Sequence, residues 1–236
     1  PSWWKQTGKD VRVLQELDAL VVLSSEAYHY FKSKVKGQVY LIPHAVDTKF
    51  FCPPQNDSEI KTTRILFVGN WLRDFQAFTS GIESILRLKN NIIVDVVLPF
   101  IPDQSHPLFR LMKYTNINWH RNITDDKLKQ FYQQSTCLYL PLIDCTANNA
   151  LLEAAAAGLP IITNNCGGVI DYLDANLVHL VESGNEAGLL KAFEFCISDS
   201  TTKIARAQAG KQSKLIHEKF GVDVISKALL DLYTSL

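Results

Sequence analysis

The sequence predicts an α/β fold built on a doubly wound parallel sheet. Three observations point there. Short apolar runs, among them ALVVL at 19–23, ILFV at 65–68 and LYL at 138–140, have the length and density of strands buried on both faces. Helix-forming stretches separate them, joined by short loops, and that alternation is the pattern of a parallel sheet. Polar or glycine-bearing loops also follow the runs directly, as at Gly69 and at Asp144–Asn149, where such sheets hold their ligands.

In chain order, residues 19–23 are a strand ending at Ser24-Ser25, a helix spans about 26–34, and 39–42 is a second short strand. Pro43, Pro53 and Pro54 mark 43–54 as linker. From Arg64 a buried strand feeds the glycine loop, and Trp71–Leu88 is mostly helical. Ile92–Leu98 is a strand broken by Pro99 and Pro102, then come a helix near 107–114, a strand at 117–119 and a helix at 125–133. A strand at 138–142 stops at Asp144-Cys145-Thr146, where Asn148 and Asn149 start a helix. Ala150–Ala157 is a strong helix former closed by Gly158 and Pro160. Ile161-Ile162 is a strand, Gly167-Gly168 a tight turn, 177–181 a last strand, and helices cover 186–198, 203–220 and 222–236.

A helix opening directly off a buried strand points bare backbone N–H groups and a positive dipole end above the sheet, which suits a phosphate. Here those N–H groups belong to Asn149, Ala150 and Leu151, and Glu153 one turn on can reach a sugar hydroxyl. Gly69 permits close backbone approach to a diphosphate, and Arg73 in the same loop carries a planar cation that binds phosphate oxygens bidentately. The alternatives are an ordinary turn at Gly69, a surface pair of Arg73 with Asp74, and an exposed Glu153 resting on the helix dipole.

The stretch from Thr136 to Asp171 resembles the donor-binding core of retaining, two-domain (GT-B) glycosyltransferases, the large glycogen-synthase-like "glycosyl transferases group 1" family. Pro141, Glu153, Ala154, Ala156, Gly158, Pro160 and Gly167-Gly168 fit the family pattern in register. The second acidic residue of that pattern maps onto Glu153 and the first onto Cys145, with Asp144 one position early; its two glycines map onto Thr146 and Asn148. IPHAVDTKFFCP at 42–53 resembles the family's crossing between domains, with His44 and Ala45 in place of Asn-Gly. The resemblance implies a Rossmann-like C-terminal half of a GT-B fold, with 1–42 a remnant of the acceptor-side domain, 43–63 the linker and 64–236 the donor domain. It implies catalytic roles for Arg73 and Glu153. Donor binding would fall to Gly69, Asn70, Asn122, Ile123, Asp144, Cys145, Thr146, Asn148, Asn149, Ala150 and Leu151, with Asn122 and Ile123 reading the base. No metal or cofactor is implied. The expected partners are a nucleotide-diphosphate sugar, a glycan or lipid-linked acceptor, and the N-terminal domain missing from this stretch, without which sugar transfer is poor. A sugar-nucleotide epimerase of the same fold, or a non-catalytic binding module, are the alternatives.

Other features exclude chemistry. Lys plus Arg and Asp plus Glu number 24 each, so the basic excess of a nucleic-acid binder is lacking. The five cysteines form no CxxC pair, and the histidines have no metal spacing, which fits a reducing cytoplasm. No apolar run reaches transmembrane length and no signal pattern opens the chain, leaving only a peripheral membrane contact conceivable. The start at Pro1 and the lone Met112 suggest a piece of a longer protein. Cys145 has no activating neighbour in sequence, His120 and Arg121 are either ligand donors or loop residues, Trp3-Trp4, Tyr28 and Tyr30 suit packing, and the Lys203–Lys219 helix a solvated face.

Overall fold

The computed structural model describes residues 8, 10–55, 62–89 and 91–235, so Trp3-Trp4 lie outside the described residues. Strands β1 (Ala19–Val22) and β2 (Gln38–Leu41) pair in parallel around helix α1 (Ser25–Lys32). Val22, Ala27 and Phe31 form their small core, with Tyr28 and Tyr30 packed against it as expected.

The main sheet is made of β3 (Arg64–Val68), β4 (Ile93–Val97), β5 (Ile117–His120), β6 (Cys137–Leu140), β7 (Ile161–Thr163) and β8 (His179–Leu180). Among the described residues these six strands are all parallel and lie in the order β5-β4-β3-β6-β7-β8. The order runs one way from β3 and the other way from β6. The gap above these two strands is therefore the switch point, where the connections leave to opposite sides and open a crevice. Ile65, Leu66 and Phe67 of β3 are 0% exposed, so both faces of that strand are covered, which explains its unbroken apolar run.

Flanking helices are α2 (Phe75–Leu88), α3 (Asp125–Gln134), α4 (Asn149–Ala156), α5 (Val169–Tyr172), α6 (Glu186–Ile197), α7 (Thr202–Phe220) and α8 (Val222–Ser235). Gly81 lets α2 approach α6 over Tyr139: an added Cβ would stand 2.5 Å from Leu189 Cδ2 and 2.8 Å from Tyr139 Oη. The alanines of α4 are buried, and Ser213 Oγ on α7 donates to the Ala156 carbonyl at 2.7 Å. Thus the lysine-dotted helix, expected as a solvated face, buries Ala205, Ala209, Ile216 and Phe220 on its other side.

Differences from the sequence reading are local. The helix expected from Trp71 begins at Phe75, because Leu72 takes a positive φ of 57° and Asp74 caps the Ala77 N–H at 2.9 Å. The 107–114 stretch is a 3-10 helix, Pro107–Lys113. Helix α5, four residues long, is too short to leave a periodic signal. Helix α8 packs Ile225 and Leu232 on Ile42 and beside Tyr40, so the chain's last helix returns to the first strands. Tyr172 joins the same pieces, donating to the Leu23 carbonyl at 2.6 Å and accepting from the His44 N–H at 3.1 Å. Among the described residues no helix is long and apolar enough to cross a membrane.

Candidate functional site

The loops after β3 and β6 are sewn together across the switch point. Arg73 and Leu142 form an antiparallel bridge, the Asp74 N–H donates to the Pro141 carbonyl, and the Ile143 N–H to the Leu72 carbonyl, both at 2.9 Å. Two segments that the sequence separates by some seventy positions become one platform.

Arg73 lies in that platform, only 9% exposed. Its Nε donates to the Val68 carbonyl and Nη1 to the Trp71 carbonyl, each at 3.0 Å, and Nη2 to Asn148 Oδ1 at 3.4 Å. The pair with Asp74 that the sequence allowed does not form; Asp74 instead caps α2 and accepts from Ser183 Oγ at 3.0 Å. Among the described residues Arg73 makes no ion pair, and burial pulls its guanidinium below the ordinary value. Gly69, with φ of 86°, is needed beside it, since a Cβ there would stand 2.8 Å from Arg73 Nη2.

Asn148 is the N-cap of α4, accepting from the Leu151 N–H at 3.3 Å with the same oxygen that meets Arg73. A buried cation and a helix N-terminus therefore converge, and among the described residues no carboxylate pairs with the cation. Both carry positive potential, and burying a charge without its counterion costs several kcal/mol. An anion held there would relieve both. Asn149 and Asn70 are exposed at the rim, whereas the Ala150 and Leu151 side chains are buried, leaving only their backbone for a ligand.

The loop at 144–146 rests on the glycine pair. A Cβ on Gly167, whose φ is 50°, would stand 1.9 Å from the Cys145 carbonyl oxygen, and one on Gly168 would stand 2.3 Å from that of Thr146. Asp144 Oδ1 accepts the Cys145 N–H at 2.8 Å, and Thr146 is half-buried beside it. Cys145 is buried and its thiol is pushed up to about 12, mainly by desolvation, so it stays protonated at neutral pH and is no nucleophile.

Glu153 is half-buried rather than exposed on the helix dipole. It accepts from Tyr132 Oη at 2.9 Å and, mainly through burial, its carboxyl is pushed up to about 7. It lines a cavity of about 100 Å³ shared with His44, Asp47, Phe51 and Asn149. Nothing in the sequence singled out Tyr132, which reads as a core aromatic of an amphipathic helix.

Asn122, with φ of 52°, is exposed after β5 at the carboxyl edge, and Ile123 is half-buried against the core. His120 is held by one ring nitrogen: Nε2 lies 2.8 Å from Asp95 Oδ1, and buried Asp95 also accepts from Arg64 at 2.7 Å and Asn118 at 3.1 Å. That network, also missed in sequence, holds β3, β4 and β5 together. A cavity of about 420 Å³ opens between α2 and α6, but its Asp74, Asn164 and Asn185 are already bonded to Ser183, Leu142 and the Gly188 N–H. Among the described residues no His, Cys, Asp or Glu cluster suits a metal ion.

Comparison with known proteins agrees with this architecture. The chain is similar in structure to sucrose-phosphate synthase from Thermosynechococcus elongatus (TM-score 0.79, 19% identity, 94% of this chain and 59% of that one). It is also similar to HepE from Anabaena, solved in complex with UDP-glucose (0.78, 14%, 96% and 66%). The C-terminal domain of the glycosyl transferase group 1 protein LpcC from Francisella tularensis matches over 75% of this chain and 99% of its own length (0.62, 18%). The chain thus spans roughly three fifths to two thirds of the length of the first two. No curated protein sequence matches it. The family model described as "Glycosyl transferases group 1" matches residues 62–199, more than half of the sequence, including both loops of the platform, and the chain belongs to that family.

Proposed function

We propose that the chain binds a nucleotide-diphosphate sugar at the platform and transfers the sugar, with retention and without a metal ion, to a hydroxyl of a glycan or lipid-linked acceptor. The observation that carries this is Arg73, a buried cation with no carboxylate partner among the described residues, set against the capping residue of α4. Cleavage of the sugar–diphosphate bond builds negative charge on the leaving group and positive charge at the anomeric carbon. Preorganised donors aimed at the leaving oxygens lower that barrier, and removing one such donor typically costs about 3–4 kcal/mol. Here the donors are Arg73, the Gly69 backbone and the first N–H groups of α4, Glu153 accepts from the ribose hydroxyls, and the 121–123 loop meets the base. Asn70, Asp144, Thr146, Asn148 and the Cys145 backbone line the sugar side.

In this reading 64–236 is the donor-binding half of a two-domain cytoplasmic enzyme, 43–63 the linker and 1–42 part of the acceptor side. The UDP-glucose bound to HepE supports a nucleotide-sugar donor. A non-catalytic nucleotide-binding module is the second reading, favoured by the protonated Cys145 where the family pattern has an acid. Titration with UDP, GDP and ADP tests the binding step: one nucleoside diphosphate should bind and compete with its sugar conjugate. Absence of binding for all three would remove both readings, and sugar transfer by the whole protein would remove the second.

A further inference from the structure

We propose that Tyr132 is a positioning residue of the nucleotide site, its hydroxyl fixing the Glu153 carboxylate in the form and direction that accept the ribose hydroxyls. The proposal rests on the ribose reading of Glu153 above. Tyr132 is 0% exposed, its ring 5.9 Å from that of Phe51, and its Oη donates to Glu153 Oε2 at 2.9 Å. A phenol this deep has no bulk water to turn to, so its single proton is committed to the carboxylate. Glu153 makes no other side-chain hydrogen bond among the described residues, and it lines the cavity beneath the 44–51 strap. One oxygen is thus tied to α3, and the second is left for a ligand.

The surroundings explain why such a tie is needed. Asp125 at the start of α3 repels a Glu153 charge, Asp47 and His44 line the same cavity from the strap, and no cation pairs with Glu153 among the described residues. Burial also disfavours the carboxylate, and the Tyr132 hydrogen bond opposes it. Arg73 acts on Tyr132 itself, favouring its anionic form against the burial and the Glu153 charge that keep the phenol protonated. A donor phenol therefore stands between the cation under the diphosphate and the carboxylate under the ribose.

The test measures UDP, GDP and ADP affinity by calorimetry from roughly pH 5.5 to 8.5, a window that spans the Glu153 titration. Affinity for the best nucleotide should rise with pH as Glu153 ionises. Tyr132→Phe should weaken it by about tenfold at neutral pH, the worth of a hydrogen bond to a charged group, and move the midpoint upward. In a Glu153→Gln background the same change should do neither. Replacing Tyr132 with 3,5-difluorotyrosine, an isosteric and stronger donor, should move the midpoint down. An unmoved midpoint, or an equal loss in the Glu153→Gln background, overturns the proposal. If no nucleotide binds the parent chain, the donor reading has failed instead. A ligand-free carbon-13 NMR titration of Glu153 tests the tie by itself: a higher midpoint in Tyr132→Phe supports the hold of Tyr132 on the carboxylate, and an unchanged one overturns the proposal.

Discussion

Replacing Arg73 by methionine separates binding from architecture, because the two readings of a buried arginine predict opposite outcomes. A structural arginine pairs with a carboxylate, and removing one partner of a buried pair costs about 3–5 kcal/mol. Arg73 has no such partner among the described residues and holds only two carbonyl oxygens and an amide oxygen. In Arg73→Met the loss of those three hydrogen bonds, about 1.5 kcal/mol or more each, is set against relief of a buried charge, worth several kcal/mol. Stability should therefore stay within about 2 kcal/mol, a melting shift of roughly 4–8 °C for a chain of this size. Binding should fall much further. A guanidinium has five N–H donors, of which the protein occupies three, so two remain for phosphate oxygens. At about 1.5 kcal/mol each, their loss is about 3 kcal/mol, roughly a hundredfold in Kd. Thermal melting and calorimetry with the best-binding nucleoside diphosphate read the two numbers. A variant that melts far lower yet binds normally would refute the reasoning, since Arg73 would then be a strut.

Gly167→Ala should cost about 3 kcal/mol or more, because the new Cβ meets a backbone oxygen at 1.9 Å and the residue keeps a positive φ; a melting temperature near the parent's would mean that the 144–146 loop yields easily. Asp95→Asn removes the carboxylate that balances Arg64 across β3, β4 and β5 and should lower the unfolding free energy by about 3–5 kcal/mol in urea, against no change if the network is ornamental. Glu153 titrates near 7 folded against 4.5 unfolded, so the folded state holds the proton more tightly: the protein is stabilised below about pH 4.5 and loses that contribution as pH rises through 7. The loss is of order 3 kcal/mol at 1.36 kcal/mol per unit, and Glu153→Gln should flatten that part of the stability–pH curve; an unaltered slope would contradict the burial argument.

Local patterning in the sequence sets the strand–helix alternation, the parallel sheet and the two polar loops after β3 and β6, through apolar runs for strands, helix formers ended by glycine and proline, and capping residues. It therefore located Gly69, Arg73, Asn148 and Glu153 on the right elements. Tertiary structure alone decided what each of them touches. The bridge from Arg73 to Leu142, the sharing of Asn148 between a cap and a guanidinium, the Tyr132 bond to Glu153 and the Asp95 cluster all join residues far apart in the sequence. So does the return of α8 to Ile42. Periodicity reports which face of an element is apolar, not which partner meets it. A tyrosine in a core and a tyrosine that holds a carboxylate carry the same letter and the same spacing, and only the strand order, which brings α3 beside α4, tells them apart.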